Sequence, residues 1–170
     1  MALSVEQLTT LKAAILAETD AAFVAARTAG ATQAMADFFN ADAAPAFYAW
    51  RRSLSRHEIL TGISDDGTMF AWAAGAYITR SQGERDAFRE MFNSTGSVDP
   101  SLASIRAAFS DIFSGTGGAG NRAHITAMSR RPVTKVERLF ATGTGSKAAP
   151  GTAGFEGAIR SDDISLALSD

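Results

Sequence analysis

The chain has 170 residues, of which 46% are hydrophobic, and its 16 basic and 18 acidic residues give a formal net charge of −2. This length suffices for one domain whose core buries about 70% of the unfolded surface, and the near balance of charge argues against a general polyanion binder. The sequence contains no cysteine, which excludes disulfides, thiolate nucleophiles and cysteine-based zinc sites.

Helix-start signals predict three helices in the first 40 residues. The first begins at a capping box, in which Ser4 and Gln7 each bond the other residue's backbone N–H, and Leu3 is placed to pack against Leu8. Asp20 and Thr32 are the caps expected for the second and third helices. The predicted spans are residues 5–18, 20–30 and 32–40.

Two short helices are predicted between residues 42 and 60. Asp42 is a cap with Pro45 in the first turn of one helix, and a second capping box, Ser55 with Glu58, opens the other. The Asp-Asp-Gly sequence at residues 65–67 then predicts a turn.

The longest apolar run, residues 69–78, fits either a helix or a strand, and we interpret it as a helix. The run is too short to span a bilayer. The first residues lack the positive and apolar regions of a signal peptide. We therefore expect no membrane partner and a protein that is made in a cytoplasm.

Three further helices complete a predicted helical body, residues 1–140. The second of them is expected to stop at Gly115, where a glycine-rich linker runs through Gly120. The helix starts are predicted at the capping box of Ser81 with Glu84, at Asp99-Pro100, and at the capping box of Thr134 with Glu137.

The composition changes after Phe140, and residues 141–170 are predicted to form an extended C-terminal arm. Residues 141–154 contain no large apolar side chain and are interpreted as a tether. Residues 155–168 alternate apolar with polar or small side chains, which predicts two short strands about a turn at residues 161–163. A capped helix that starts at Ser161 is the alternative. The expected fold is mainly α, a helical bundle body with short β segments in the arm.

The arm is predicted to bind partner subunits, because a strand without a partner in its own segment can add to another chain's sheet edge. Deletion of residues 141–170 is accordingly expected to leave a folded helical monomer. The predicted interface anchors are Phe155, Ile159, Ile164, Leu166 and Leu168.

Two glycine-rich strings have the composition of phosphate-binding motifs. Residues 115–120 match G-x-G-x-x-G, but that motif must follow a strand and here it follows a predicted helix. Residues 143–147 lack the Ser or Thr that a P-loop requires after its lysine, because Ala148 follows Lys147. We predict a flexible inter-helix loop at residues 115–120 and no cofactor site.

The sequence predicts no enzyme, catalytic residue or metal site. His57 and His124 are far apart, and neither has a second histidine or a carboxylate three or four residues later. A metal site needs three or four converging ligands. His57 is interpreted as part of a capping box and His124 as part of a helix surface.

Positive charge is concentrated just before the predicted arm. Residues 121–138 contain five cations against Glu137 alone, and this segment is interpreted as a solvated helix face, an acidic partner's surface or a site near DNA phosphate. The basic patch consists of Arg122, Arg130, Arg131, Lys135 and Arg138.

Three segments resemble a family of small virion structural proteins from the morphogenesis regions of tailed phages and prophages. They are residues 45–51 (PAFYAWR), residues 84–92 (ERDAFREMF), and residues 131–146 (RPVTKVERLFATGTGS) followed by Pro150, Phe155-Glu156-Gly157 and Ile159. The resemblance covers most of the chain from about residue 36 onward.

The resemblance implies a head-to-tail connector adaptor, which forms a homo-oligomeric ring between portal and tail and reaches a neighbour or the portal protein through a C-terminal extension. A head- or tail-completion protein and a DNA-binding component of the packaging machinery are the alternatives. The expected location is the virion, after assembly in the bacterial host cytoplasm, with DNA passing through the channel.

Overall fold

The computed structural model describes residues 3–72, 77–93 and 95–169. In these ranges the fold is mainly α with short two-stranded sheets, as the sequence predicted. The helices are α1 (Val5–Ala17), α2 (Ala21–Thr28), α3 (Thr32–Asn40), α4 (Arg56–Thr61), α5 (Gln82–Glu90), α6 (Ala103–Ile112), α7 (Gly115–Met128), α8 (Lys135–Leu139) and α9 (Ser161–Ser169). The strands are β1 (Tyr48–Trp50), β2 (Leu54–Ser55), β3 (Ser97–Val98), β4 (Arg130–Pro132), β5 (Ala141–Thr142) and β6 (Thr152–Ala153). Strand β1 pairs with β4, β2 with β3, and β5 with β6.

The chain forms two compact units, and the boundary predicted at residue 140 is wrong. Unit 1 combines Met1–Ala49 with Pro132–Asp170, whereas unit 2 is the continuous segment Trp50–Arg131. The predicted body is therefore divided between the units, and the predicted arm lies wholly within unit 1. The physical reason is that the N-terminal helices need the C-terminal apolar side chains to complete their core.

The N-terminal helices of unit 1 begin close to their predicted positions. The Ser4 and Gln7 capping box forms with both reciprocal bonds, and the Asp20 carboxylate accepts the N–H of Phe23 at 3.0 Å. Helix α3 starts at Thr32 itself, since Ala31 occupies the cap position. Local capping chemistry therefore fixes the starts of α1 and α2 to within a residue, whereas α3 begins without a side-chain cap, so the prediction of Thr32 as its cap is wrong.

The C-terminal segment is a helix in the core of unit 1, so the predicted pair of strands is wrong and the alternative helix is right. Helix α9 packs against α1 and α3. Phe155, Ile159 and Ile164 are each at most 3% exposed and belong to the same apolar cluster as residues of α1, α2 and α3. Helical spacing buries Ile164 with Ala167 and leaves Leu166 and Leu168 exposed.

Two polar side chains hold the returning chain in place. The Asn40 side-chain amide donates to the carbonyl of Ile159 at 2.8 Å and accepts its N–H at 2.9 Å, as a neighbouring strand would. The buried Glu137 carboxylate accepts the N–H of Gly157 at 3.0 Å as well as that of Thr134 at 3.1 Å. Residues 155–160 are therefore bound by directional bonds as well as by apolar packing.

The predicted tether is an ordered hairpin. Strands β5 and β6 pair antiparallel, with Ala141 opposite Ala153. The connecting loop closes around the Phe47 ring: a Cβ on Gly145 would lie 2.1 Å from that ring, and one on Gly151 would lie 2.8 Å from it. The small residues of this loop thus permit close packing, and the predicted flexible tether is wrong.

The predicted helix at Asp42 and Pro45 is absent, and this region is extended. The Ala44–Pro45 peptide bond is cis, and strand β1 follows it. The next predicted helix does form as α4, with the Ser55 and Glu58 capping box complete. Residues 42–50 are extended because their backbone forms hydrogen bonds with distant segments. One of these bonds runs from the Tyr48 N–H to the carbonyl oxygen of Gly145 at 2.7 Å.

Unit 2 has its own apolar core, built by α4, α5, α6 and α7 around Phe88, Phe113 and Ile125. The predicted glycine-rich linker is wrong, because residues 115–120 form the start of α7. A Cβ on Gly118 would lie 2.1 Å from the carbonyl oxygen of Phe113, so a glycine is required where α7 begins beside the end of α6. The G-x-G-x-x-G string is a helix-packing feature here.

Candidate functional site

The five predicted interface anchors separate into two groups. Phe155, Ile159 and Ile164 are buried in the core of their own chain, so they are not available to a partner. Leu166 and Leu168 lie on the outer side of α9, at 53% and 37% exposed. The prediction of Phe155, Ile159 and Ile164 as interface anchors is therefore wrong, because the core of unit 1 is incomplete without these residues.

The predicted basic patch does not form one surface within either unit. Arg122, Arg130 and Arg131 belong to unit 2, whereas Lys135 and Arg138 belong to unit 1. In unit 1, the Lys135 ammonium lies 3.3 Å from the centroid of the Phe38 ring, and Arg138 donates to the carbonyl of Pro45 at 3.2 Å. These cations therefore have structural contacts inside the fold.

A different surface stands out, at a loop of unit 2 that we name the apolar loop, residues 62–72. Ile63 and Met69 face each other in an antiparallel bridge and are 66% and 63% exposed. Trp72 is 49% exposed, while Phe70 between them turns inward and is 7% exposed. The predicted helix over residues 69–78 is wrong for residues 69–72, which are not helical, and residues 73–76 lie outside the described residues.

Asn121 of α7 fixes the backbone of the apolar loop at Ala71. The Asn121 side chain is fully buried, accepts the Ala71 N–H at 2.7 Å and donates to the Ala71 carbonyl at 2.9 Å. An amide side chain that pairs both groups of one residue replaces a neighbouring strand. The loop is therefore held to α7 without a regular sheet.

His124, one turn further along α7, fixes the middle of the apolar loop. It is fully buried, so its predicted place on a helix surface is wrong. Its Nε2 lies 2.8 Å from the carbonyl oxygen of Ile59, and its Nδ1 lies 3.2 Å from the hydroxyl of Thr68. Nδ1 also lies 3.1 Å from the carbonyl oxygen of Thr68, so the ring contacts Thr68 at both its hydroxyl and its backbone. The Thr68 hydroxyl in turn lies 2.7 Å from that of Ser64.

Arg130 fixes the turn at the tip of the apolar loop. Its guanidinium, on a side chain only 6% exposed, forms ion pairs with Asp65, at 3.0 Å, and with Asp66. Burial lowers the pKa of Arg130, but the hydrogen bonds with Asp65 and Asp66 outweigh burial, so its pKa is raised overall. This cation of the predicted basic patch is thus a structural anchor.

Helix α4 carries Ile59, and the Glu58 carboxylate holds the start of this helix. Backbone and side-chain hydrogen bonds from Ser55, together with the ion pair to Arg51, lower the pKa of Glu58 to about 2, although partial burial opposes the shift. The folded protein therefore keeps this carboxylate ionised at pH values where an unfolded chain protonates it.

We expect Glu58→Gln to flatten the acid limb of the stability curve. Above the ordinary pKa of 4.5 the ionised Glu58 stabilises the fold, and this contribution is lost as pH falls from 4.5 through about 2. Urea unfolding at neutral pH and at about pH 3 measures the effect. The stability difference between wild type and variant should shrink at acid pH, and a difference that stays constant would contradict the assignment.

Unit 1 has an open cleft of about 630 Å³. Its carboxylates are engaged locally, since Glu18 accepts the N–H of Thr19 at 2.8 Å and Asp20 caps α2. The cleft therefore combines apolar side chains with two cations and two carboxylates. Its lining includes Phe38, Phe39, Leu139, Lys135 and Arg138, together with Glu18, Asp20 and Ala44.

The apolar loop was missed by the sequence analysis, although part of its signal was present. Asn121, His124 and Ile125 are spaced by three and four residues on one face of α7, which is a pattern of burial. The assignment of residues 115–120 to a linker hid that face. Loop exposure itself has no local sequence signal, because Met69 and Phe70 are both apolar and only one is buried.

The apolar loop places Ile63, Met69 and Trp72 in solvent on a backbone held by side-chain hydrogen bonds, and exposed apolar patches of this kind are typical of protein interfaces. Among the residues that the structure describes, no group of three or more His, Asp or Glu side chains is placed to hold a metal ion. No helix in the described ranges is long and apolar enough to cross a bilayer. Comparison with protein-family models, curated proteins and solved structures finds no match to this chain.

Proposed function

We propose that this chain is a structural adaptor of a tailed-phage neck, a non-enzymatic virion protein that forms a homo-oligomeric ring between portal and tail. The observation that carries the proposal is the apolar loop, which displays Ile63, Met69 and Trp72 on a backbone fixed by Asn121, His124 and Arg130. The proposed location in the phage neck rests on the resemblance of residues 45–51, 84–92 and 131–146 to connector proteins.

A preformed surface suits assembly, because a partner then binds without ordering the loop first. Exposed Met and Trp side chains are enriched at the centres of interfaces. Since Phe155, Ile159 and Ile164 are buried in unit 1, the apolar loop replaces the C-terminal arm as the proposed contact with the portal protein, with a head- or tail-completion protein or with the next subunit.

A ring needs two different, complementary surfaces on each subunit. The apolar loop is one of them, and the cleft of unit 1 is the candidate for the other. Leu139 offers an apolar contact to a neighbour's Trp72, while the exposed Arg138 offers positive charge to its acidic turn, where the two carboxylates of Asp65 and Asp66 outnumber the one guanidinium of Arg130.

The DNA-binding alternative is not favoured by the residues that were predicted to carry it. Arg130 is paired with Asp65 and Asp66 and is nearly buried, and Lys135 lies on the ring of Phe38. A phosphate contact needs accessible cations that are free of carboxylate partners. The head- and tail-completion alternatives use the same kind of surface and differ only in the partner.

The proposal is tested by Met69→Asp, which places a charge at the centre of the apolar loop. We expect it to weaken self-association, or binding to the portal protein of the same phage or prophage, by at least about tenfold. Light scattering and native mass spectrometry measure both. The matched control is Leu16→Asp, a leucine 58% exposed on α1, which should leave association unchanged. A folded Met69→Asp variant that assembles like wild type would overturn the proposal, as would a wild-type chain that binds neither itself nor the portal protein.

A further inference from the structure

Unit 2 contains a pocket of about 210 Å³ on the α6–α7 face. Each helix contributes residues spaced by three and four positions, which places them along one side of the helix. No residue of the apolar loop lines the pocket. Its lining consists of Arg106, Phe109 and Ser110 of α6, Arg122, Ile125 and Thr126 of α7, and Trp50 and Ser129.

Both arginines of this pocket are held in fixed positions by the backbone. Arg106 donates through Nη1 to the carbonyls of Pro100 at 2.6 Å and Ser101 at 2.7 Å, and its guanidinium carbon lies 4.5 Å from the centroid of a Trp50 ring. Arg122 donates through Nη1 to the carbonyl of Phe113 at 2.5 Å. A guanidinium has further donors on Nη2 and Nε, so these contacts orient each group without using its whole hydrogen-bonding capacity.

The charge of the two guanidinium groups is not balanced inside the pocket. No acidic residue lines it, and within the described ranges neither Arg106 nor Arg122 forms an ion pair. Other arginines of unit 2 do have carboxylate partners, such as Arg51 with Glu58 and Arg89 with Asp86. Two like charges beside one concave site favour a bound anion, which lowers their mutual repulsion.

We propose that this pocket binds a phosphate group, with Arg106 and Arg122 as its charged ligands and the hydroxyls of Ser110 and Thr126 as further donors. The planar fork of arginine matches phosphate oxygens. Inorganic phosphate or a phosphate monoester carries a charge of about −1.5 to −2 at neutral pH and balances both guanidinium groups, whereas one carboxylate balances a single group. A DNA backbone phosphate carries one negative charge, so two neighbouring backbone phosphates would balance the pair. The pocket volume is below the roughly 300–1,000 Å³ that is typical of pockets for larger ligands. The pocket therefore suits a small ion or a single group of a polymer.

Titration of the intact chain with inorganic phosphate, at constant ionic strength and with chloride as the comparison anion, tests the proposal. We expect saturable binding of one phosphate per chain, weakened by at least about tenfold in Arg106→Gln and in Arg122→Gln. The matched control is Arg89→Gln, which removes one positive charge of unit 2 from an exposed position on α5 and should leave phosphate affinity unchanged.

Ser110→Phe provides a second variant that retains both arginines and their backbone bonds but fills the pocket. This variant should abolish phosphate binding, and it tests the proposal even if a glutamine variant fails to fold. A wild-type chain with no saturable binding up to about 10 mM phosphate would overturn the proposal, and so would a Ser110→Phe variant with wild-type affinity.

A short DNA duplex at low salt separates the two sources of a phosphate group. Competition between duplex and inorganic phosphate, with duplex affinity reduced in Arg122→Gln and falling steeply with salt, supports the pocket with DNA backbone as its ligand. Phosphate binding without competition supports the pocket with a free ion as its ligand.

Discussion

Deletion of residues 155–170 should unfold unit 1, which is the opposite of what the sequence predicted for removal of the arm. The deletion removes Phe155, Ile159 and Ile164 from the core. Truncation of even one such side chain costs about 2–5 kcal/mol, against a total stability of about 5–15 kcal/mol for a domain. The N-terminal helices are then expected to lose their cooperative unfolding transition.

The positions of the tryptophans make this prediction easy to measure. Both of them, Trp50 and Trp72, belong to unit 2, so tryptophan fluorescence reports on unit 2 while far-ultraviolet circular dichroism reports on both units. The truncated chain should lose helical signal and keep its fluorescence transition. Leu166→Ala, on the exposed side of α9, is the control and should be nearly neutral, whereas Ile164→Ala should cost about 3 kcal/mol. A truncated chain with full helicity and wild-type unfolding would show that the segment is dispensable.

Substitution of Asn121 by alanine should destabilise unit 2 by about 1–3 kcal/mol, because it removes both hydrogen bonds that the buried Asn121 side chain makes to the backbone of Ala71. The Ala71 N–H then lacks this acceptor, while the Ala71 carbonyl keeps the N–H of Tyr77 at 3.3 Å. The substitution also releases the apolar loop from α7, so the emission of Trp72 should shift. Urea unfolding followed by fluorescence gives the free energy, and hydrogen exchange at the Ala71 amide gives the local effect.

Asn93→Ala is the control for this experiment, because Asn93 is exposed and its side chain bonds Glu90 within one turn. The control should change stability by less than about 0.5 kcal/mol. An Asn121→Ala variant with wild-type stability and unchanged exchange at Ala71 would show that the loop holds its shape without this anchor.

The sequence predicted best where a single turn of backbone decides the outcome. All four capping boxes, which begin at Ser4, Ser55, Ser81 and Thr134, form with both reciprocal bonds. In each box the partners are three residues apart, so tertiary context has little influence on them.

Prediction failed where distant segments decide the outcome. Residues 161–169 have a pattern that fits both an alternating strand and a helix with Ile164 and Ala167 inside, and only the core of unit 1 selects the helix. Gly145 and Gly151 were interpreted as tether residues because the Phe47 ring that lies against them is about one hundred positions earlier in the chain. Composition alone does not distinguish a flexible glycine from one in close contact.

The candidate site was the least predictable part of the molecule. Its exposed residues, Ile63, Met69 and Trp72, resemble core residues in sequence, and its anchors are a buried Asn and a buried His on a helix that begins with glycines. Arg130 was identified as a charged residue of interest, but its carboxylate partners are more than sixty positions earlier in the chain. Exposure and long-range pairing depend on the whole unit.

The discontinuous course of unit 1 affects the order in which the protein can fold during synthesis. Residues 50–131 emerge from the ribosome as one stretch, so unit 2 can fold while translation continues. The segment before them must wait, because the backbone that Asn40 binds at Ile159 is made after the whole of unit 2. A nascent chain therefore carries an open segment before unit 2 until α9 appears. Closure of unit 1 marks a chain that has been translated through Ile164, and only such a chain can enter an assembly with both units folded.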